Sequence, residues 1–234
     1  MKLLARLLLA PLARLVFRPK VIGRRNMPKT GGVLVASNHL SFIDSVVITL
    51  VARRSVSFMA KSSYFAGRGV RGALSRGFFR GVGAVPVERG AGQAAQAALD
   101  AGLGILRSGD AFSIYPEGTR SRDGRLYRGR TGIAWLALTA GVPVVPVALI
   151  GTDRLQPADT NRIRFARVTV QFGEPMDLSR FGSADSGRAR RQATDAVMAE
   201  IARMSGQEVA GVYNEPPPAT VRDRVRRWFR RERR

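Results

Sequence analysis

The chain has 234 residues, 45% of them hydrophobic and 24% charged, which suits one large domain with a sizeable core and excludes a disordered chain. It has no cysteine and a single histidine, which excludes a disulfide framework, thiolate chemistry and an ordinary Cys/His zinc site. A formal net charge of +22 calls for an anionic partner. In chain order, the first element is "MKLLARLLLAPLARLVFRPK". At 100° per residue, Lys2, Arg6, Arg14 and Arg18 fall on one arc and Leu4, Leu8, Leu12 and Leu15 on the opposite one. The segment is marginal in length for a membrane span, and Pro11 kinks or splits it. Residues 1–20 therefore read as an amphipathic helix at a membrane interface, or one docked on the protein's own core.

Short β-rich runs follow at 33–36, 56–60, 84–87, 111–115, 144–150 and 168–172. Helical patterns alternate with several of them, at about 42–53, 91–107, 130–140 and 186–204. The uncharged run 131–152 is long enough to span a membrane, but Gly141, Pro143 and Pro146 divide it into a buried helix, a turn and a buried strand. The pattern predicts an α/β fold: a single domain over 21–213 with a mostly buried mixed sheet flanked by helices, preceded by the amphipathic interfacial helix. "NEPPPAT" then opens a Pro-rich linker, and 214–234 form this linker and a basic tail.

The positive charge is uneven. Residues 1–87 carry 15 Lys and Arg against one acidic residue, Asp44, and the last thirteen residues hold eight Arg and two acids. The middle is nearly neutral, aromatics are only 7%, and neither an RNP-type nor a helix-turn-helix pattern occurs, so no specific nucleic-acid partner is expected. An anionic membrane surface fits better, with Trp228 and Phe229 as interfacial side chains in the tail.

Three stretches carry candidate chemistry. In "SNHLSFIDS" the only histidine, His39, stands five residues before Asp44. An offset of five separates two side chains on a strand or a helix, so they meet only if the chain turns between them. Ser41 with Asp44 forms a capping-box pattern that starts a helix at Phe42 and supplies that turn. Two readings follow: Asp44 caps the helix beside a loop histidine, or Asp44 orients His39 as a general base. The second stretch is "IYPEGTRSRDGRLYRGRTG", in which Pro116 and Gly118 make a tight turn after a strand and Glu117, Thr119 and Arg120 project from its mouth. The third is "GAVPVERG", which ends a strand at Arg89.

Taken jointly, "NHLSFID", "AVPVER", "YPEGTRS" and "VPVVPVAL" resemble, in family order over about residues 30–152, the glycerolipid acyltransferases of the lysophosphatidic acid acyltransferase type. The resemblance implies that His39 deprotonates an acceptor hydroxyl, with Asp44 orienting it, and that the hydroxyl attacks an acyl thioester. It places Arg89, Glu117, Gly118 and Thr119 at acceptor-binding or site-shaping positions, extended by Arg120. Lys61 and Arg130 fall where relatives often carry lysines, and Pro143 and Pro146 lie in a block associated with acyl-donor packing and strand shape. The implied reaction moves a fatty acyl group from acyl-CoA or acyl-carrier protein to the sn-2 hydroxyl of 1-acylglycerol 3-phosphate and needs no cofactor. Another lysolipid, glycerol 3-phosphate or a glycolipid is the alternative acceptor; a non-catalytic basic module binding membrane or nucleic acid is the alternative class. The expected location is peripheral or monotopic, on the cytoplasmic face of the cell membrane. "VPVER" lacks the aromatic and aspartate that many relatives carry before the arginine.

Overall fold

β-branched and small apolar residues dominate the short runs of this chain, and seven of them assemble into one sheet. The structure is a computed structural model and describes residues 19–87, 93–158, 160 and 162–215. The predicted amphipathic segment lies almost entirely outside the described residues, and so do Arg89 and the basic tail beyond residue 215.

The strands are β1 (Lys20–Ile22), β2 (Val33–Ser37), β3 (Val56–Lys61), β4 (Ala84–Val87), β5 (Ala111–Ile114), β6 (Val144–Ile150) and β7 (Thr169–Phe172). The helices are α1 (Asp44–Val51), α2 (Gly69–Gly81), α3 (Gln93–Arg107), α4 (Gly132–Ala140), α5 (Thr152–Leu155) and α6 (Gly187–Ser205). The sheet order is β1-β7-β6-β2-β5-β3-β4. β6, β2, β5, β3 and β4 run parallel, β7 is antiparallel to β6, and β1 is parallel to β7. The predicted mixed sheet is thus present, and its five parallel strands end on one edge.

Alternation along β2 divides the core between the two faces. Leu34 and Ala36 join Phe112, Leu136, Val197 and Ile201 on the side of α3, α4 and α6. Val33 and Val35 join Ile48, Val51 and Leu149 on the side of α1. Burial on both faces accounts for the near-continuous apolar reading of β2 and β6. The uncharged run 131–152 is α4, a left-handed Gly141 and β6, and no helix among the described residues is long and apolar enough to cross a membrane.

Pro146 lies inside β6, a strand paired on both sides, where proline ordinarily breaks a ladder. Its carbonyl accepts from the Gly173 amide at 2.8 Å, on the β7 side. The missing N–H faces the same side, beyond the last β6–β7 pair at Val147 and Phe172, so no bond to β2 is lost. Pro143 serves the other end, where its carbonyl accepts from the Leu34 amide at 3.0 Å.

Three elements depart from the sequence reading, and the shortest helix, the four-residue α5, lies beyond every helical pattern expected. α2 was not expected, because its four glycines and three arginines mask any helical period. One of them is required sterically: a Cβ on Gly72 would stand 2.1 Å from the Gly67 carbonyl oxygen. β1 is a three-residue edge strand whose Lys20 amide bonds the Val168 carbonyl at 2.9 Å, too short to leave a pattern.

Candidate active site

The site lies at the carboxyl edge of β2 and β5, the central neighbours of the parallel strands. β2 stops at Ser37 because the next side chain takes over its ladder. The Asn38 Oδ1 accepts from the Leu149 amide at 2.8 Å, and its Nδ2 donates to the Leu149 carbonyl at 2.9 Å. A second bond from Nδ2 to Gln207 Oε1, at 2.7 Å, completes this fully buried amide. With the side chain standing in for a strand neighbour, the backbone is free to leave the sheet at His39.

The chain then folds back on itself. Asp44 Oδ2 lies 2.9 Å from His39 Nδ1 and accepts the Leu40 and Ser41 amides at 2.7 and 2.8 Å. The carboxylate is fully buried, whereas 14% of the imidazole side chain is exposed. Facing an ionised acceptor, Nδ1 carries the ring proton, which leaves Nε2 as the basic nitrogen. Nε2 makes no hydrogen bond among the described residues. The Tyr115 ring stacks on the imidazole at 3.8 Å and 10°, and its hydroxyl bonds Ser45 Oγ at 2.7 Å. Burial and the nearby Asp44 carboxylate push the Tyr115 hydroxyl well above its ordinary value, so it stays protonated.

The expected capping box is half present. Asp44 reaches back to the Ser41 amide, but the Ser41 hydroxyl donates to the Gln156 carbonyl at 2.7 Å instead of capping α1. The helix consequently starts at Asp44, with Ile43 at the N-cap position, rather than at Phe42. The hydroxyl ties the histidine turn to the segment after β6, a long-range bond that local spacing does not reveal.

Glu117 does not project from the mouth as the charged turn led us to expect. It is fully buried, with Oε1 accepting the His39 amide at 2.9 Å and Oε2 the Tyr127 amide at 3.0 Å. The Ser121 amide donates to the His39 carbonyl at 2.7 Å, so both backbone groups of His39 are fixed by this second turn. Gly118 adopts φ 78°, a left-handed conformation that favours glycine, and a Cβ there would stand 2.8 Å from Nε of the exposed Arg130 side chain, which would have to shift. The Thr119 and Arg120 carbonyls accept from Asn214 Nδ2 at 3.4 and 3.1 Å. Arg130 is exposed and donates to the Asn214 carbonyl at 3.4 Å. Lys61 is exposed at the end of β3, on the same sheet edge. Asn38, Tyr115, Gln207 and Asn214 were missed as site-forming residues. Only Asn38 and Tyr115 lie inside recognisable motifs; the other two act from the far end of the chain.

Burial pushes the Glu117 carboxyl up to about 7, against the two amide bonds that favour its charged form. A folded value above the unfolded one means that this group stabilises the fold fully below about pH 4.5 and loses that contribution as pH rises towards 7. The loss by pH 7 is on the order of 3 kcal/mol. Denaturant titrations at several pH values should show this slope in the parent and its removal in Glu117→Gln. Parallel slopes for the two proteins would show that Glu117 does not titrate in this window.

An imidazole with one nitrogen held by a buried carboxylate and the other without a hydrogen bond among the described residues is chemically able to accept a proton from a group placed beside it. The chain belongs to the Acyltransferase family, whose model matches residues 18–150. It is 31% identical to the chloroplastic 1-acyl-sn-glycerol-3-phosphate acyltransferases of Brassica napus over 148 residues and of Arabidopsis thaliana over 166. Those alignments cover 63% and 70% of this chain but 41% and 45% of the relatives, so the chain spans less than half of their length. The fold matches the crystal structure of the 1-acyl-sn-glycerophosphate (LPA) acyltransferase PlsC from Thermotoga maritima. The TM-score is 0.62, with 24% identity, 87% of this chain and 83% of that one covered.

Proposed function

We propose that the protein transfers a fatty acyl group from an acyl thioester to the sn-2 hydroxyl of 1-acyl-sn-glycerol 3-phosphate, forming phosphatidic acid. The observation that carries this reading is the His39–Asp44 contact at 2.9 Å, set among the family's motifs. The names of the two plant relatives support the choice of acceptor.

In this mechanism His39 Nε2 removes the proton of the acceptor hydroxyl as its oxygen attacks the thioester carbonyl carbon. The tetrahedral intermediate collapses, the C–S bond breaks, and the thiolate leaves with the proton carried by His39. One ester forms, one thioester is consumed and one free thiol is released. Asp44 holds the ring and stabilises the transient imidazolium. Lys61, Arg120, Arg130 and, in the segment after β4, Arg89 supply positive charge for the acceptor phosphate through charge-assisted hydrogen bonds. Glu117, Gly118 and Thr119 shape the turn that fixes the His39 backbone. Pro143 and Pro146 set the path of β6. The donor is acyl-CoA or acyl-carrier protein, no cofactor takes part, and the enzyme works at the cytoplasmic face of an anionic membrane.

A panel of lysolipid acceptors and both donor types, with products identified by mass, tests this reading. Acyl transfer to 1-acylglycerol 3-phosphate should exceed transfer to neutral or zwitterionic lysolipids. Equal or greater rates with an acceptor lacking the phosphate monoester would move the function to that acceptor.

A further inference from the structure

α2 turns an apolar stripe outward. Val70, Leu74 and Phe78 recur at four-residue spacing, within roughly an 80° arc of the helix, and are 77%, 69% and 43% exposed. Isolated exposed apolar residues are ordinary, but a continuous stripe is not. Arg71 lies along one flank and Arg80 beyond the other, with Arg68 at the N-cap position; all three are exposed and none meets a carboxylate among the described residues. No described residue covers the stripe.

We propose that this face of α2 is a docking surface for an anionic phospholipid membrane, with the stripe at the acyl boundary and the arginines among the headgroups. Charge complementarity selects this partner: an apolar strip flanked by exposed guanidinium groups matches a surface that is apolar in depth and anionic at its rim. A nucleic acid offers nothing to the apolar stripe, and an acidic protein groove would have to match both features. The position of α2 gives the docking a consequence that rests on the acyl-transfer reading. On the inner side of the helix, Phe79 stacks on Tyr64 at 4.8 Å, and Phe42 lies edge-on to both at 6.3 and 5.6 Å. Phe42 follows His39 by three residues, so one aromatic cluster joins the docking face to the catalytic turn and offers acyl chains an apolar path between them. A second exposed apolar–basic segment, with Ile163 and Phe165 among arginines, is tied by the Arg164 amide to the carbonyl of Leu155, a residue of the core packed on α1.

The absence of native cysteine allows a direct test in the full chain. Leu74→Cys, and Arg188→Cys on α6 as control, are each labelled with an environment-sensitive fluorophore. Emission is read with phosphatidylcholine vesicles and with vesicles containing about 30% phosphatidylglycerol. The label at position 74 should shift to the blue only with anionic vesicles, and the label at 188 should not respond. The Val70→Asp, Leu74→Asp double variant should lower vesicle partitioning about tenfold or more while turnover of a water-soluble short-chain acceptor stays at the parent level. A silent label at 74 on protein that sediments with the vesicles would overturn the proposal. So would a label already blue-shifted without lipid, since a segment of this chain would then cover the stripe. If the parent fails to sediment with any vesicle, the membrane partner itself is wrong. Loss of short-chain turnover in the parent would count against the acyl-transfer reading alone.

Discussion

His39→Ala should lower kcat/KM by about 10²–10⁴-fold, the usual contribution of a positioned base, while the melting temperature stays near that of the parent. The two effects separate because the local fold is held by the backbone of His39, not by its ring. The His39 amide is fixed by Glu117 and its carbonyl by the Ser121 amide, and alanine keeps both bonds. What disappears is the only imidazole in the chain, its stack on Tyr115, worth about 0.5–1.5 kcal/mol beyond burial, and its bond to Asp44, whose Oδ2 keeps the Leu40 and Ser41 amides as donors. Steady-state rates and thermal melts on the same preparation decide the matter. Equal activity in variant and parent would remove His39 from the chemistry.

The second large effect belongs to Asp44, and the pair Asp44→Asn and Asp44→Ala reads it. All three contacts of this carboxylate converge on Oδ2, whereas Oδ1 is buried with no partner among the described residues. Asparagine can place its carbonyl oxygen at the Oδ2 position and retain every contact, at a cost of about 1–3 kcal/mol for an amide group buried without a partner. It removes the negative charge opposite the imidazolium, and kcat/KM should fall by about 10²-fold or more. Alanine strands the Leu40 and Ser41 amides as well, so it should lose markedly more stability at similar activity. If asparagine lowers the melting temperature but leaves turnover intact, Asp44 serves only to cap and close the turn.

Much of the frame was legible because both sheet faces are covered: buried strands such as β6 stand out as apolar runs between turn residues, and the helices between them carry their own period. The reversal of β7 and the edge strand β1 were not legible, since each is short and is placed by pairing with residues distant in sequence. α2 escaped because glycine at 72 serves a close backbone approach rather than helix propensity. Within the site, the offset of five correctly demanded a turn between His39 and Asp44, and Asp44 does bond the Ser41 amide. The rest of the closure comes from afar: Gln156 takes the Ser41 hydroxyl, Gln207 completes Asn38, and Asn214 holds the Thr119–Arg120 turn. Glu117 misled because a charged residue in a turn ordinarily faces water. Here two otherwise unsatisfied amides, one of them on His39, draw it inward.

The most direct test of the central claim is a product assay with parent and His39→Ala proteins, each given 1-acylglycerol 3-phosphate and an acyl thioester. Lipid product is identified by mass and free thiol is counted in the same reaction. The parent should yield phosphatidic acid and thiol in equal amounts, and the variant should yield both about 10²–10⁴-fold more slowly. Thiol release without lipid product, or matching yields from the two proteins, would contradict it.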